Sequence, residues 1–410
     1  MIKEFFVRQT VLTRLESGPL ATYLPSLASA LQVLGYAART ISRYLRSADR
    51  YGRWLEEAGT ALADAGADEL VAYRRSVDPR KGKGRRDFTK CEGLNRVVEI
   101  LCPAGILNRA RRTPVEDWLT AYRAHLQNVQ GLSEATCKGC VQRARHLVAE
   151  FSRGGAPDWS VMTAEWVSNW VREQAARTVG KLQPVTTMRG VLRYLISQGA
   201  VEPALLQAIP SMPHRSKVGL PKRLSTEEWQ IILSGCLAIS SGSLRDRAIV
   251  LLLARLGIRA GEVRQLRLED IDWQAGTITI RRGKSRRERQ LPLPEDAGAL
   301  MAEYIQRERP KTDHREVFLC VTTPHGPLKT SARISLATQR VLNRLGINRP
   351  KLGAHHLRHT VASQLVCRGA TFKEIADILG HASLANTGIY AKLDEQALAQ
   401  VSLPWPGGGR

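Results

Sequence analysis

The chain has 410 residues, too many for one ordinary hydrophobic core and enough for two or three domains. Its hydrophobic fraction of 43% excludes a disordered or fibrous chain, and its longest strongly apolar run, AIVLLLARLG at 248–257, falls far short of a membrane span. Sixty-one Lys and Arg against 38 Asp and Glu give a net charge of +23, which repels itself in a compact state and attracts polyanions: nucleic acid ahead of membrane, because the bases are spread over folded segments.

The opening MIKEFFVRQT lacks the apolar stretch and cleavage pattern of a signal peptide, so a cytoplasmic location is expected. Two long segments then resemble each other. LQVLGYAARTISRYLRSADRYGRWLEEAG (31–59) lies on LQNVQGLSEATCKGCVQRARHLVAEFSRGG (126–155) with about one gap, and NRVVEILCPAGIL (95–107) lies on RGVLRYLISQGAV (189–201). Both members of the first pair run from an LQ-headed helix end through a turn to a helix with apolar residues at three- and four-residue spacing. Two copies of a long unit imply a domain duplication, and each copy has pattern enough for four or five short helices.

Inside the first copy, VAYRRSVDPRKGKGRRDFTK (71–90) holds eight Lys or Arg against two Asp, punctuated by Gly and Pro. A solvated loop is the plain reading. With this net charge, phosphate contact through Arg80, Lys81, Lys83, Arg85 and Arg86 is the reading favoured. Seven cysteines without framework spacing suit a reducing compartment. Cys137 and Cys140 stand in a continuous helical pattern with no second CxxC, so they read as packing thiols and no metal site is expected.

IPSMPHRSKVGLPKRLSTEEW (209–229) reads as a linker closing in a capping box, Ser225 with Glu228. Beyond it come an apolar helix (244–256), a short helix from Ala260, two β-like runs in TITIRRGKSRRERQLPLP around a Gly-Lys-Ser turn, and further helices, with EVFLC (316–320) a candidate strand. The expected organisation is two helical domains, 1–112 and 113–212, a linker at 213–223, a helical domain with a small sheet at 224–402, and a tail at 403–410.

Cutting a phosphodiester without metal requires fixed cations against the phosphate oxygens, a nucleophile in line, and an acid for the departing oxygen. Arg suits the first task, since its planar fork matches two oxygens and keeps its proton. The third domain supplies candidates in order. They are Arg259 in LGIRAGEV, Lys284 at the hairpin tip RRGKSRRER, His355 and Arg358 in GAHHLRH, His381 in LGH, and Tyr390 nine residues later. His355 and Arg358, at i and i+3, share a helix face. Each residue alone has a bland reading: a surface Arg, a solvated Lys, a helix-face His, a core Tyr.

Together, GIRAGEV, GKSRRER, HHLRH, LGH and IY resemble the signature of the tyrosine recombinases, or phage integrases, in order and spacing across residues 257–390. The resemblance implies a mainly α fold, with two helical SAM-like DNA-binding domains ahead of an α+β catalytic domain carrying a small antiparallel sheet. It implies a bacterial, nucleoid-associated enzyme of mobile-element type that works without metal, ATP or other cofactor. Its partner is double-stranded DNA as a recombination site or Holliday junction, bound as a homo-oligomer, a tetramer on synapsed DNA, with partner recombinases admitted. By motif position Tyr390 becomes the nucleophile that forms a 3′-phosphotyrosyl link. Arg259 and Arg358 hold the non-bridging oxygens, and Lys284 is the acid for the 5′-oxygen. His355 assists the nucleophile, and His381 donates to the phosphate. Glu262 and His359 are supporting residues, His359 a buttress that does not react. Arg281, Arg282, Arg286, Arg287 and Arg289 surround Lys284 and are expected on backbone phosphates. After Tyr390, Leu393, Ala397, Leu398 and Val401 offer a docking face for a neighbouring protomer or for their own domain.

Three other readings stay open: a type IB topoisomerase-like enzyme, a DNA-binding regulator with a silent catalytic domain, and a metallohydrolase using His355 and His359. The last lacks the acid of H-E-x-x-H and a third ligand.

Overall fold

The computed structural model describes residues 2–77, 93–107, 113–152, 155–177, 182–212, 223–238, 242–281, 288–349, 352–381, 383 and 387–393. The chain divides into two compact units, Met1–Val33 with Ala37–Arg215, and Leu34–Tyr36 with Ser216–Arg410. No helix among the described residues is long and apolar enough to cross a membrane.

The first unit is helical. After α1 (Gln9–Glu16) come α2 (Leu24–Val33), α3 (Ala38–Glu57), α4 (Ala67–Ser76) and α5 (Leu94–Leu101). The same order returns as α6 (Pro114–Asn128), α7 (Glu134–Glu150), α8 (Ala164–Arg177) and α9 (Leu182–Ser197). α3 packs on α2 and α5 as α7 packs on α6 and α9. Each long helix follows a left-handed glycine, Gly35 (φ 80°) or Gly131 (φ 62°), a conformation that only Gly adopts without strain. Aligning the N-caps Ala37 and Ser133 pairs buried Ile41, Ala48, Tyr51 and Leu55 with buried Cys137, Ala144, Leu147 and Phe151. In that register the two long helices bury corresponding positions. Cys137 packs there, while Cys140 Sγ lies 3.3 Å from the Arg143 guanidinium on the same unbroken helix. Among the described residues no three ligands gather for a metal.

The second unit opens on the expected capping box. The Ser225 N–H donates to the Glu228 carboxylate (2.9 Å) and the Glu228 N–H to Ser225 Oγ (3.2 Å), starting α10 (Thr226–Ala238). α11 (Leu244–Leu256) is buried on nearly every side, because RAIVLLLARL offers no polar stripe. Its charged first turn is neutralised in place: Arg245 and Arg340 both bond Asp246, and Arg247 donates to the carbonyls of Cys236 and Leu237. α12 (Ala260–Gln265) leads into a three-stranded antiparallel sheet, β1 (Ile271–Asp272), β2 (Thr277–Ile280) and β3 (Arg289–Pro292), in that order. Ile278 faces Leu291, and Ile280 faces Arg289 at the hairpin end. α13 (Glu295–Arg307), α14 (Ala332–Arg344), α15 (Ala354–Cys367) and α16 (Phe372–Leu379) complete the unit, with a 3-10 turn at Gly388–Leu393.

α11 is the hub, packing on α10, α13, α14 and α15. The candidate strand at 316–320 forms only isolated bridges, Arg267 with Glu316 and Leu319 with Pro327. Val317, Phe318 and Leu319 are all fully buried, so the run inserts into the core with no alternating face to pair.

Candidate active site

Two helix ends build the site. α11 stops at Gly257 (φ 60°), where a Cβ would stand 2.8 Å from Leu379 Cδ2, and α16 stops at Gly380 (φ 64°). Each stop leaves a carbonyl aimed at one guanidinium. Arg358 NH1 donates to Gly257 O and NH2 to Leu379 O, both at 2.8 Å. A cation at two helix C-termini sits where both dipoles favour it. Burial draws Arg358 down to about 10, with Arg259 adding repulsion, and it stays protonated at neutral pH.

Arg259 is the first residue after Ile258 and caps α12 through Glu262. Its N–H and its guanidinium each donate to that carboxylate at 2.9 Å. Glu262 is 6% exposed and also accepts from Arg289 at 2.8 Å. Burial pulls the Glu262 carboxyl upward, but the hydrogen bonds and charges of Arg289 and Arg259 outweigh it and hold it below the usual carboxylate range. Arg289 itself is 10% exposed and donates to Ile378 O at 2.9 Å. It differs here from the expectation of a phosphate contact: paired with Ile280 in the sheet, it turns inward and neutralises Glu262. Arg281 is half-exposed and pairs with Asp270. Lys284, Arg282, Arg286 and Arg287 lie outside the described residues, as do Arg80, Lys81, Lys83, Arg85 and Arg86, and Ala397, Leu398 and Val401.

The three histidines of GAHHLRH separate by register on α15. His356 turns back, its Nδ1 accepting from the Gly353 N–H at 3.3 Å to cap the helix. His355 is exposed, and His359, one turn further along α15, is partly buried. Their Nε2 atoms meet at 2.7 Å, and His359 Nδ1 lies 2.7 Å from the Tyr390 hydroxyl. Tyr390 is carried on the 3-10 turn, its N–H bonded to Thr387 O, and is 1% exposed. Burial pushes its hydroxyl up to about 12, with Arg358 pulling the other way. Burial, then the neighbouring His355, His356 and Arg358, pushes His359 down to about 4. His355 is lowered too, by the protein around it first and then by Arg358, His356 and Arg259. Both imidazoles are thereby biased towards the neutral form, as a chain from hydroxyl to imidazole to imidazole requires.

His381 follows Gly380 directly and is buried. Its Nδ1 lies 2.7 Å from Thr387 Oγ1, and burial with the charges of Arg358, Arg259 and Arg289 pushes it down to about 4. The charge of Arg259 opposes the protonated forms of Arg358, His355 and His381 alike. Sequence reasoning missed Thr387, the inward role of Arg289, and the contact of His359, not His355, with the hydroxyl. The spacing i, i+4 puts both histidines on one face without saying which of them Tyr390 reaches.

The model of the phage integrase family matches residues 222–397. The integrase/recombinase y4rF of Sinorhizobium fredii is 37% identical over 295 residues, covering 71% of this chain and 69% of that one. The tyrosine recombinase XerC of Pseudomonas putida is 30% identical over 295 residues, covering 69% and 93%. Among solved structures, the XerH site-specific recombinase bound to palindromic difH substrate in a post-cleavage complex gives a TM-score of 0.51 at 21% identity, over 72% of this chain and 97% of that one, a likeness of fold.

Proposed function

This chain belongs to the phage integrase family and is a site-specific tyrosine recombinase, and from that premise we propose how its own residues break and rejoin DNA. The observation that carries the proposal is the hydrogen-bonded chain Tyr390–His359–His355 at the edge of an arginine cluster. The Tyr390 oxygen attacks the scissile phosphorus. The phosphorus bond to the 5′-oxygen breaks, and a 3′-phosphotyrosyl link remains. The phenolic proton passes to His359 Nδ1, and His359 passes its Nε2 proton to His355. Arg259 and Arg358 neutralise the charge building on the non-bridging oxygens, Arg259 held by Glu262 and Arg358 by two helix-end carbonyls. His381, with Nδ1 accepting from the Thr387 hydroxyl, keeps its Nε2 proton for the phosphate. Lys284 protonates the departing 5′-oxygen. Rejoining reverses each step with a 5′-hydroxyl from another strand. Because Tyr390 is 1% exposed, DNA engagement must uncover its hydroxyl while His359 stays within reach.

The substrate on this reading is a duplex recombination site, bound by four copies on two synapsed duplexes, with a Holliday junction between the two exchanges. The helix sets α2–α5 and α6–α9 serve as SAM-like DNA-binding modules, the second as the core-binding module. Strand exchange between two duplexes carrying the ends of the protein's own mobile element tests this. Recombinant product, lost in Tyr390→Phe, supports it. Relaxation of supercoils without exchange would instead indicate a topoisomerase.

A further inference from the structure

Arg289 stands where several parts of the active site meet, yet no step of the reaction uses it. It opens β3, five residues after Lys284 in the chain. Its guanidinium bonds inward: Nε donates to Ile378 O at 2.9 Å, NH1 to Glu262 Oε1 at 3.4 Å and NH2 to Glu262 Oε2 at 2.8 Å. The same carboxylate accepts from the Arg259 N–H and from Arg259 NH1. A carboxylate offers about four acceptor positions, so the two arginines fill Glu262 between them. Arg259 keeps 28% of its side chain exposed, where a phosphate can reach it, whereas Arg289 keeps 10%.

On its other side the Arg289 guanidinium lies against the end of α16. Gly380 makes room for it, since a Cβ there would stand 2.8 Å from Arg289 Cζ. His381 is the next residue, and its N–H donates to Ala376 O at 2.8 Å. One planar fork therefore bonds both the carboxylate that holds Arg259 and the helix end that carries His381. Neutralising Glu262 would need only a charge beside it. The further bond to a carbonyl on another element adds nothing to neutralisation, and it is what a point charge on a flexible stem would lose.

The geometry points to Arg289 as a positioning residue for the reaction: it sets Arg259 and His381 in one frame around the scissile phosphate without itself touching DNA. This rests on the recombination reading. The test is single-turnover formation of the covalent complex by the full chain carrying Arg289→Lys, which keeps the charge and loses the fork. It is run on nicked duplexes with the natural phosphate, with sulfur at the bridging 5′ position, and with a methylphosphonate, in which one non-bridging oxygen and its charge are gone. Arg289→Lys should slow cleavage of the natural linkage about 10- to 100-fold, the range for residues that orient a reacting group through another. Sulfur should restore nothing, because the departing oxygen is not at fault. The methylphosphonate should bring the variant within about threefold of the unsubstituted chain, since less charge then has to be held. Amide hydrogen exchange without DNA should rise at 376–381 and at 259–262 and stay unchanged in α11. Where Arg289→Lys does not fold, Arg289→Gln combined with Glu262→Gln removes both buried charges and should show the same order of linkages. Natural-linkage cleavage within about threefold of the unsubstituted chain overturns the inference. So does rescue by sulfur, which would tie Arg289 to the Lys284 step, and so does an equal loss on all three linkages, which would leave it a strut of the fold. If the unsubstituted chain forms no covalent complex on any linkage, the recombination reading fails. Hydrogen exchange then judges Arg289 alone: a rise at 376–381 and 259–262 supports its hold on both groups, and unchanged exchange overturns it.

Discussion

His359→Ala is the substitution that most sharply separates this site from the one its motif implies. The imidazole it removes stands 2.7 Å from the Tyr390 hydroxyl, which burial has already pushed up to about 12. At pH 7 a phenol of that acidity is ionised in about one molecule in 10⁵, so the proton must leave during attack. A positioned base contributes about 10²- to 10⁴-fold to such a step, or about 3 to 5 kcal/mol of barrier. The assay is single-turnover formation of the covalent protein–DNA complex on a nicked duplex, run with the natural linkage and with sulfur replacing the bridging 5′-oxygen. A thiolate leaves without a proton, so the sulfur linkage should rescue Lys284→Ala and leave His359→Ala slow. Alanine at 359 with a cleavage rate within about threefold of the unsubstituted chain would refute the relay, as would rescue of His359→Ala by sulfur.

Glu262→Gln leaves Arg259 and Arg289 facing a neutral amide in a nearly closed pocket. Unfolding in urea should show a loss of about 3 kcal/mol, and cleavage should fall with it; unchanged stability would mean that the pair is already neutralised by water. His381 titrates lower in the fold than in the free chain, so its contribution is complete above pH 6.5 and is lost as the pH falls towards about 4. Between pH 7 and pH 5 it accounts for about 2 kcal/mol, so His381→Gln should flatten the stability profile there, and an equally steep profile would contradict the assignment. His359 acts in the same direction with a smaller effect, being less enclosed. Arg358→Lys supplies one ammonium where two carbonyls and a phosphate require a fork. It should cost about 1 to 3 kcal/mol of stability and abolish detectable covalent complex, and near-normal cleavage would show that charge alone suffices.

The sequence was most informative where chemistry and period coincide. GIRAGEV, HHLRH and LGH each join a reactive group to a helix end, and Gly257 and Gly380 hold those ends in a backbone conformation that Gly adopts freely. The apolar run 244–256 and the capping box at Ser225 were legible for similar reasons: local pattern decides them. The remainder depends on long-range packing. Arg289 looks like its neighbours in RRGKSRRER until strand pairing directs it at Glu262, which no spacing reveals. β1 has two residues, too few for any alternation, and exists because β2 lies beside it. VFL at 317–319 is apolar enough for a strand but is swallowed whole by the core. His359 could be placed on the face of His355, while its contact with Tyr390 depends on the path of the chain between His381 and the 3-10 turn.

The central claim is that Tyr390 forms the covalent bond to DNA. Trapping the complex on a nicked duplex, digesting the protein and sequencing the DNA-linked peptide by mass spectrometry tests it directly. The account predicts a nucleotide adduct on Tyr390 through a 3′-phosphate, formed in excess chelator and absent from Tyr390→Phe. An adduct on another residue, a 5′-linked adduct, or cleavage that survives Tyr390→Phe would contradict it.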